Sequence, residues 1–216
     1  MKRLIIVCEG QTEQEFCQEV LATSLLSKEI YVEAPTIHQT NGGIVAWNIL
    51  KRQLERHLKE GNAIVSMLVD YYGITDEHCF PGWNESKEIA DKVDRMHFLF
   101  EKIAEDMPEK LRYKFIPYIQ LHEFEGLLFS DVDAFKLTFD EKNIDFEKIK
   151  SAADSFETPE LINNSPLTAP SKRLIAAIPG YNKVIDGNCV AMDIGLNKIR
   201  LKCPLFNEWV EKLENI

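Results

Sequence analysis

Glu9 follows an uninterrupted apolar run, Leu4-Ile5-Ile6-Val7-Cys8, and precedes Gly10-Gln11-Thr12-Glu13. Asp70 closes a second such run, Ala63-Ile64-Val65-Ser66-Met67-Leu68-Val69. A third acidic group, His122-Glu123-Phe124-Glu125, comes directly after Phe115–Leu121. Carboxylates are the hard oxygen donors that Mg²⁺ and Mn²⁺ prefer. Two or three of them brought to one point can bridge or hold a divalent cation, however far apart they lie in the chain. Everything depends on the elements that carry them.

Runs as uniformly apolar as Leu4–Cys8 and Ala63–Val69 read as buried strands of a parallel sheet, not as strands with one wet face. Thr12 with Glu15 fits a capping box, and apolar positions Phe16, Val20, Leu21 and Leu25 predict a helix from Thr12 to Leu26. A second strand is expected over Ile30–Ile37, a turn at Asn41-Gly42-Gly43 and an amphipathic helix over Ile44–Lys59. Strand, helix, strand, helix, strand predicts a parallel sheet with right-handed crossovers. Glu9 and Asp70 then sit at the carboxyl ends of central strands, where open α/β sheets bind ligands. Tyr71 to Trp83 reads as a loop on that edge, and Glu85–Asp106 as the longest helix. Phe115–Leu121 is a fourth strand, which Pro117 makes an edge strand or a bulge. If that strand continues, Glu123 and Glu125 share a face. If a helix has begun, they lie roughly 200° apart and His122 meets Glu125 instead.

Beyond Ser130 the pattern is short and helical, with Pro159 and Pro170 at helix starts and Pro179-Gly180 at a helix end. The expected fold is therefore α/β, a mostly parallel four-stranded central sheet flanked by helices. Residues 1–130 form the core and 131–216 a helical extension packed on it, unless the two make one domain. A net charge of −10 argues against a broad basic surface for nucleic acid. It leaves room for a nuclease, whose acidic site divalent cations neutralise. The five cysteines include no CxxC pair, which argues against zinc and a disulfide framework. No run approaches the roughly 20 apolar residues of a membrane span, and the N-terminal apolar run is too short for a signal peptide. The expected location is the cytoplasm.

Four strings are more specific than any pattern: Val7-Cys8-Glu9-Gly10-Gln11-Thr12-Glu13, Val69-Asp70-Tyr71-Tyr72-Gly73-Ile74, Pro117-Tyr118-Ile119-Gln120-Leu121-His122-Glu123-Phe124-Glu125, and Ala169-Pro170-Ser171-Lys172-Arg173-Leu174. Together they resemble a bacterial family of unknown function, domain-of-unknown-function family 4276, grouped with Toprim-like proteins. Glu9-Gly10 and Asp70 are similar to the Toprim divalent-metal site of topoisomerases, primases and overcoming-lysogenization-defect nucleases. That resemblance implies an α/β Toprim-like core, one or two Mg²⁺ or Mn²⁺ ions, and phosphodiester hydrolysis. It also implies an AAA or SMC-like ATPase partner and a setting of defence against foreign DNA. One departure stands out. Tyr72 occupies the place of the second acid of the Toprim Asp-x-Asp, and a phenol is a poor ligand for a hard cation.

On this reading Glu9, Asp70, Glu123 and Glu125 are the metal ligands, the glutamates after the fourth strand replacing the missing acid. His122, with a reference pKa of about 6.5, is a general acid or base, an orienter of a carboxylate, or a structural histidine. Gly10, Thr12, Lys172 and Arg173 are candidate phosphate contacts at helix starts. Glu13 and Tyr72 are secondary candidates; on the first helical turn Glu13 reads first as a dipole-favoured surface acid. Two alternatives remain open: a non-catalytic adaptor or nucleotide-binding partner of an ATPase, and a phosphotransfer enzyme acting on nucleotides or RNA.

Overall fold

The computed structural model describes residues 1–38, 43–163 and 165–216. Strand β1 (Lys2–Cys8) leads into helix α1 (Gln11–Phe16), a π-helical stretch Cys17–Leu21 and α2 (Ala22–Leu26). Then come β2 (Ile30–Glu33), α3 (Trp47–Leu58) and β3 (Ile64–Asp70). The expected turn at Asn41-Gly42 lies outside the described residues. Short α4 (Trp83–Ser86) precedes α5 (Lys92–Asp106), so the single helix expected over Glu85–Asp106 is two. The reason is local: the Asp91 carboxylate accepts the Val93 and Asp94 N–H groups and starts α5 afresh.

After α6 (Glu109–Arg112) the fourth strand divides into β4 (Phe115–Ile116) and β5 (Ile119–Gln120). Pro117 has no N–H to give the ladder, and the break falls there, as its position in the sequence suggests. The sheet is parallel throughout, in the order β2-β1-β3-β4, with β5 pairing farther along β3. Leu4–Cys8 and Val65–Val69 are all buried, as strands covered on both faces must be.

The remaining chain is helical: α7 (Phe135–Thr138), α8 (Phe146–Asp154), α9 (Pro170–Ala177), α10 (Ile185–Ile194), α11 (Leu196–Lys202) and α12 (Pro204–Glu214). These helices share one contiguous apolar core with the sheet, from Leu4 to Leu213. Trp209 of α12 stacks on Tyr118 with ring centres 4.5 Å apart and donates its indole N–H to Ser66 Oγ of β3. Ser66 in turn donates to the Ile116 carbonyl at 2.6 Å, which accounts for a hydroxyl in the middle of a buried strand. Glu160 accepts the Leu205 and Phe206 N–H groups and so caps α12 from another segment. No helix is long and apolar enough to cross a membrane among the described residues.

Candidate functional site at the β1–β3 switch point

The strand order reverses direction between β1 and β3: from β1 the chain passes to β2 on one side, then crosses to β3 on the other. Adjacent parallel strands with outward-diverging connections leave a crevice at their carboxyl ends. Cys8 is in register with Leu68, so Glu9 and Asp70 emerge side by side at that crevice. Their contact is direct. The Glu9 carboxylate accepts the Asp70 N–H through Oε2 at 2.9 Å. Asp70 Oδ1 accepts the Phe124 N–H at 2.9 Å, and Glu123 Oε2 accepts the Ser171 N–H at the start of α9 at 2.8 Å. Gly73, in a 3₁₀ turn after β3, lies so close that an added Cβ would stand 3.1 Å from Glu9 Oε1. Lack of a side chain there is what leaves Glu9 its room.

Glu13 and Glu125 complete the group. The helix starts earlier than Thr12 and Glu15 suggest: Gly10 is the N-cap, and Glu13, at the third helical position, accepts the Gly10 N–H at 2.8 Å. That contact draws Glu13 inward to 7% exposure, so it is a buried member of the site and not a surface acid. Glu125, 2% exposed, accepts from Lys183 Nζ at 2.9 Å. Lys183 precedes α10 and comes from the helical extension, as does Ser171. The site is therefore built from both parts of the chain.

Five carboxylates around one ammonium repel one another. Burial pushes Asp70 well above the usual aspartate range, and Glu13, Glu9, Glu125 and Glu123 push it further. Glu9 is raised by burial, against the Asp70 N–H and Lys183, which pull it down. Burial and the nearby Glu9 lift Glu13 to about 7. Burial raises Glu125 too, although Lys183 opposes it. Burial lowers Lys183, but Glu125, Glu123 and Asp70 outweigh this and hold it above the ordinary lysine range.

These directions fix a pH dependence. A carboxyl whose folded pKa exceeds its unfolded value binds more protons when folded, so its contribution is full at low pH and is lost as pH rises through the folded value. Without divalent cations, stability is expected to fall between about pH 5 and pH 8, by roughly 3 kcal/mol for a carboxyl raised as far as Glu13. Urea unfolding in EDTA across that range measures it. Glu13→Gln should flatten the profile; a wild-type profile already flat would contradict the repulsion.

His122 differs from expectation. It does not meet Glu125; its Nε2 faces Lys92 Nζ at 3.2 Å. Burial, with Lys92 and Arg95 beside it, pushes its pKa down to about 3. A pKa that low leaves the imidazole neutral at physiological pH, which argues against a general acid and is compatible with the base, orienting and structural roles alike. Its φ of 66° lies in the left-handed region, a strain of about 1 kcal/mol or more at a non-glycine residue. That turn ends the strand alternation, and a 3₁₀ helix, Phe124–Ser130, begins after Glu123. Glu123 therefore reaches α9 while Glu125 reaches Lys183, and neither geometry weighed from the sequence holds as stated.

Lys172 and Arg173 are not brought to the acids. They line a cleft with Lys148, Ser151 and Ser155, where Arg173 donates to the Thr168 carbonyl and packs on Phe156. The Gly10 N–H is taken by Glu13, and the Thr12 carbonyl accepts from Asn188 of α10. Tyr72 lies on the same edge, its N–H bonded to the His122 carbonyl and its ring 5.2 Å from the imidazole. Lys183 and Gly73 are the members that sequence reasoning does not single out. Gly73 at least stands in a recognised string; Lys183 carries no signal, because its role depends on folding of the extension.

The donor set suits a hard divalent cation in kind: carboxylate oxygens in excess of positive charge. Glu9, Asp70 and Glu123 each spend one oxygen on a backbone N–H and have a second for a cation. Among the described residues no three or more His, Cys, Asp or Glu side chains are already arranged to hold a metal. In comparison with known proteins, the family model described as "Domain of unknown function (DUF4276)" matches residues 8–214. No curated protein and no solved structure matches.

Proposed function

Because the chain belongs to the DUF4276 family, whose description assigns no activity, we propose from its own site that it is a divalent-cation-dependent phosphodiesterase acting on nucleic acid. In this reading the core is Toprim-like, and the protein works with an AAA or SMC-like ATPase in defence against foreign DNA. The observation that carries the reading is the direct bond between Glu9 and Asp70 at the β1–β3 switch point, inside a group of five carboxylates. Such a concentration of carboxyls, with Glu9, Glu13, Asp70 and Glu125 raised, is costly for a fold unless a cation offsets it, and perturbed acids in a crevice mark functional sites.

Glu9, Asp70 and Glu123 would hold Mg²⁺ or Mn²⁺, with Glu125 a further donor if Lys183 releases it. The ion supplies a more acidic water and charge stabilisation at the phosphoryl oxygens. The chain's own part is to fix the acids: the Phe124 and Ser171 N–H groups orient Asp70 and Glu123, and Lys183 neutralises Glu125. His122, neutral at its lowered pKa, accepts from Lys92 through Nε2.

The adaptor reading draws on one observation, the absence of a ready-made metal arrangement among the described residues. Calorimetry with Mn²⁺ and nicking of supercoiled plasmid in Mg²⁺, Mn²⁺ or EDTA decide between the two. Heat of binding together with cation-dependent nicking supports the hydrolase. Neither heat nor nicking with any cation leaves the adaptor.

A further inference from the structure

Beside the carboxylates lies a feature of opposite sign. Lys92 and Arg95 stand three apart on the first turns of α5, hence on one face. The Lys92 ammonium reaches His122 Nε2, and Arg95 donates to the Tyr71 hydroxyl at 3.3 Å and to the Ile89 carbonyl. Neither has a carboxylate partner among these contacts. Of the adjoining acids, Asp91 is committed to capping α5 and Asp94 is exposed. Two half-buried cations thus share one face of α5 without a salt-bridge partner among the described residues, in a protein of net charge −10. Burial and Arg95 push Lys92 below the ordinary lysine range, the sign of a group short of negative charge.

The link to the carboxylates is short and covalent. Tyr71 and Tyr72 follow Asp70, His122 precedes Glu123, and the Tyr72 N–H bonds the His122 carbonyl at 3.0 Å. The Tyr72 ring is partly exposed and braced against His122, while Tyr71 packs on Trp83 at 5.0 Å. Cations that track a phosphate backbone, with an aromatic face for a base, are the components of single-strand recognition. We propose that Lys92 and Arg95, with Tyr72 as stacking face, form a subsite for a phosphate and its base in a single-stranded nucleic acid, adjoining the phosphate held at the carboxylates. The substrate assignment rests on the hydrolase reading; the binding surface itself does not. Tyr72, two residues after Asp70, is uncharged and then presents a ring to the strand without adding negative charge to its path.

The test is fluorescence anisotropy of a labelled oligothymidine on the full chain, in EDTA and again in Ca²⁺ to neutralise the carboxylates. Lys92→Gln and Arg95→Gln should each weaken binding about tenfold, as loss of one charge-assisted contact does. Each should also lower the salt slope by about 1. Tyr72→Leu should weaken binding where Tyr72→Phe does not. Lys102→Gln, at an ion-paired lysine farther along α5, is the control and should match wild type. Because Arg95 also holds the Ile89 carbonyl, Lys92→Gln is the deciding variant if Arg95→Gln unfolds. Binding by Lys92→Gln equal to that of the control overturns the subsite. Competition by inorganic phosphate or duplex as strong as by the single strand overturns the strand assignment. Loss of binding in Lys92→Gln with no cleavage by wild type keeps the subsite and removes the hydrolase, whereas cleavage with unchanged binding does the reverse.

Discussion

Asp70→Asn is expected to abolish cation-dependent cleavage, by on the order of a thousandfold or more, while making the cation-free protein more stable. Asparagine is isosteric and its Oδ1 can still accept the Phe124 N–H, so the fold loses no hydrogen bond. It loses a charge that burial, Glu13, Glu9, Glu125 and Glu123 all oppose. Relief of that repulsion and burial cost makes the variant more stable than the wild type in EDTA near neutral pH, where a raised carboxyl opposes folding. Adding Mn²⁺ should reverse the ranking. A cation at about a hundred times its Kd stabilises the wild type by about 2.7 kcal/mol, and the variant gains little. Thermal unfolding with and without Mn²⁺, beside the nicking assay, reads both halves. Glu9→Gln should behave alike, since the amide oxygen can still accept the Asp70 N–H. If Asp70→Asn destabilises the cation-free protein, the carboxylate is structural and the site is not a strained cation receptor. If the variant still cleaves, Asp70 is no ligand.

What is legible in the sequence follows the same division between local and long-range causes. Leu4–Cys8 and Ala63–Val69 declare buried parallel strands because each residue must bear burial on both faces, and that fixes where Glu9 and Asp70 emerge. Pro117 declares its own break in the ladder. The helix cap at Gly10 lies two residues ahead of Thr12 and goes unsignalled because a glycine N-cap has no side chain to advertise it; Glu13 supplies the bond instead. Glu123 and Glu125 can be assigned to the site but not oriented, because their directions depend on the left-handed backbone at His122, a conformation uncommon among non-glycine residues and not signalled by the sequence. Lys172 and Arg173 look like a phosphate clamp from their place at the start of α9, yet the backbone N–H of their neighbour Ser171 is what reaches the acids. Lys183 is invisible: its partner is Glu125, and only the packing of α10 against the segment after β5 brings the two together.

Trp209→Ala is expected to cost about 3–5 kcal/mol, as large-to-small changes at aromatic core positions do. For a chain of this length that is a fall in Tm of roughly 10 °C. Trp209 is 2% exposed and joins the last helix to the sheet in two ways, through its stack on Tyr118 and its N–H to Ser66. Truncation removes both, opens a cavity beside Phe206 and Tyr118, and leaves the Ser66 hydroxyl with its Ile116 acceptor but without its donor. Trp209→Phe keeps most of the ring contact and loses the hydrogen bond, so it should cost about 1–2 kcal/mol. Urea unfolding of the two variants separates packing from polar satisfaction. The effect should also reach the carboxylates, because Ser66 lies on the strand that ends in Asp70 and Tyr118 lies just ahead of β5, which pairs with that end. Cation affinity should therefore weaken in Trp209→Ala more than in Trp209→Phe. Equal affinities would show that the β3 terminus is positioned without the last helix, and then residues 1–130 could form the site's acidic core alone.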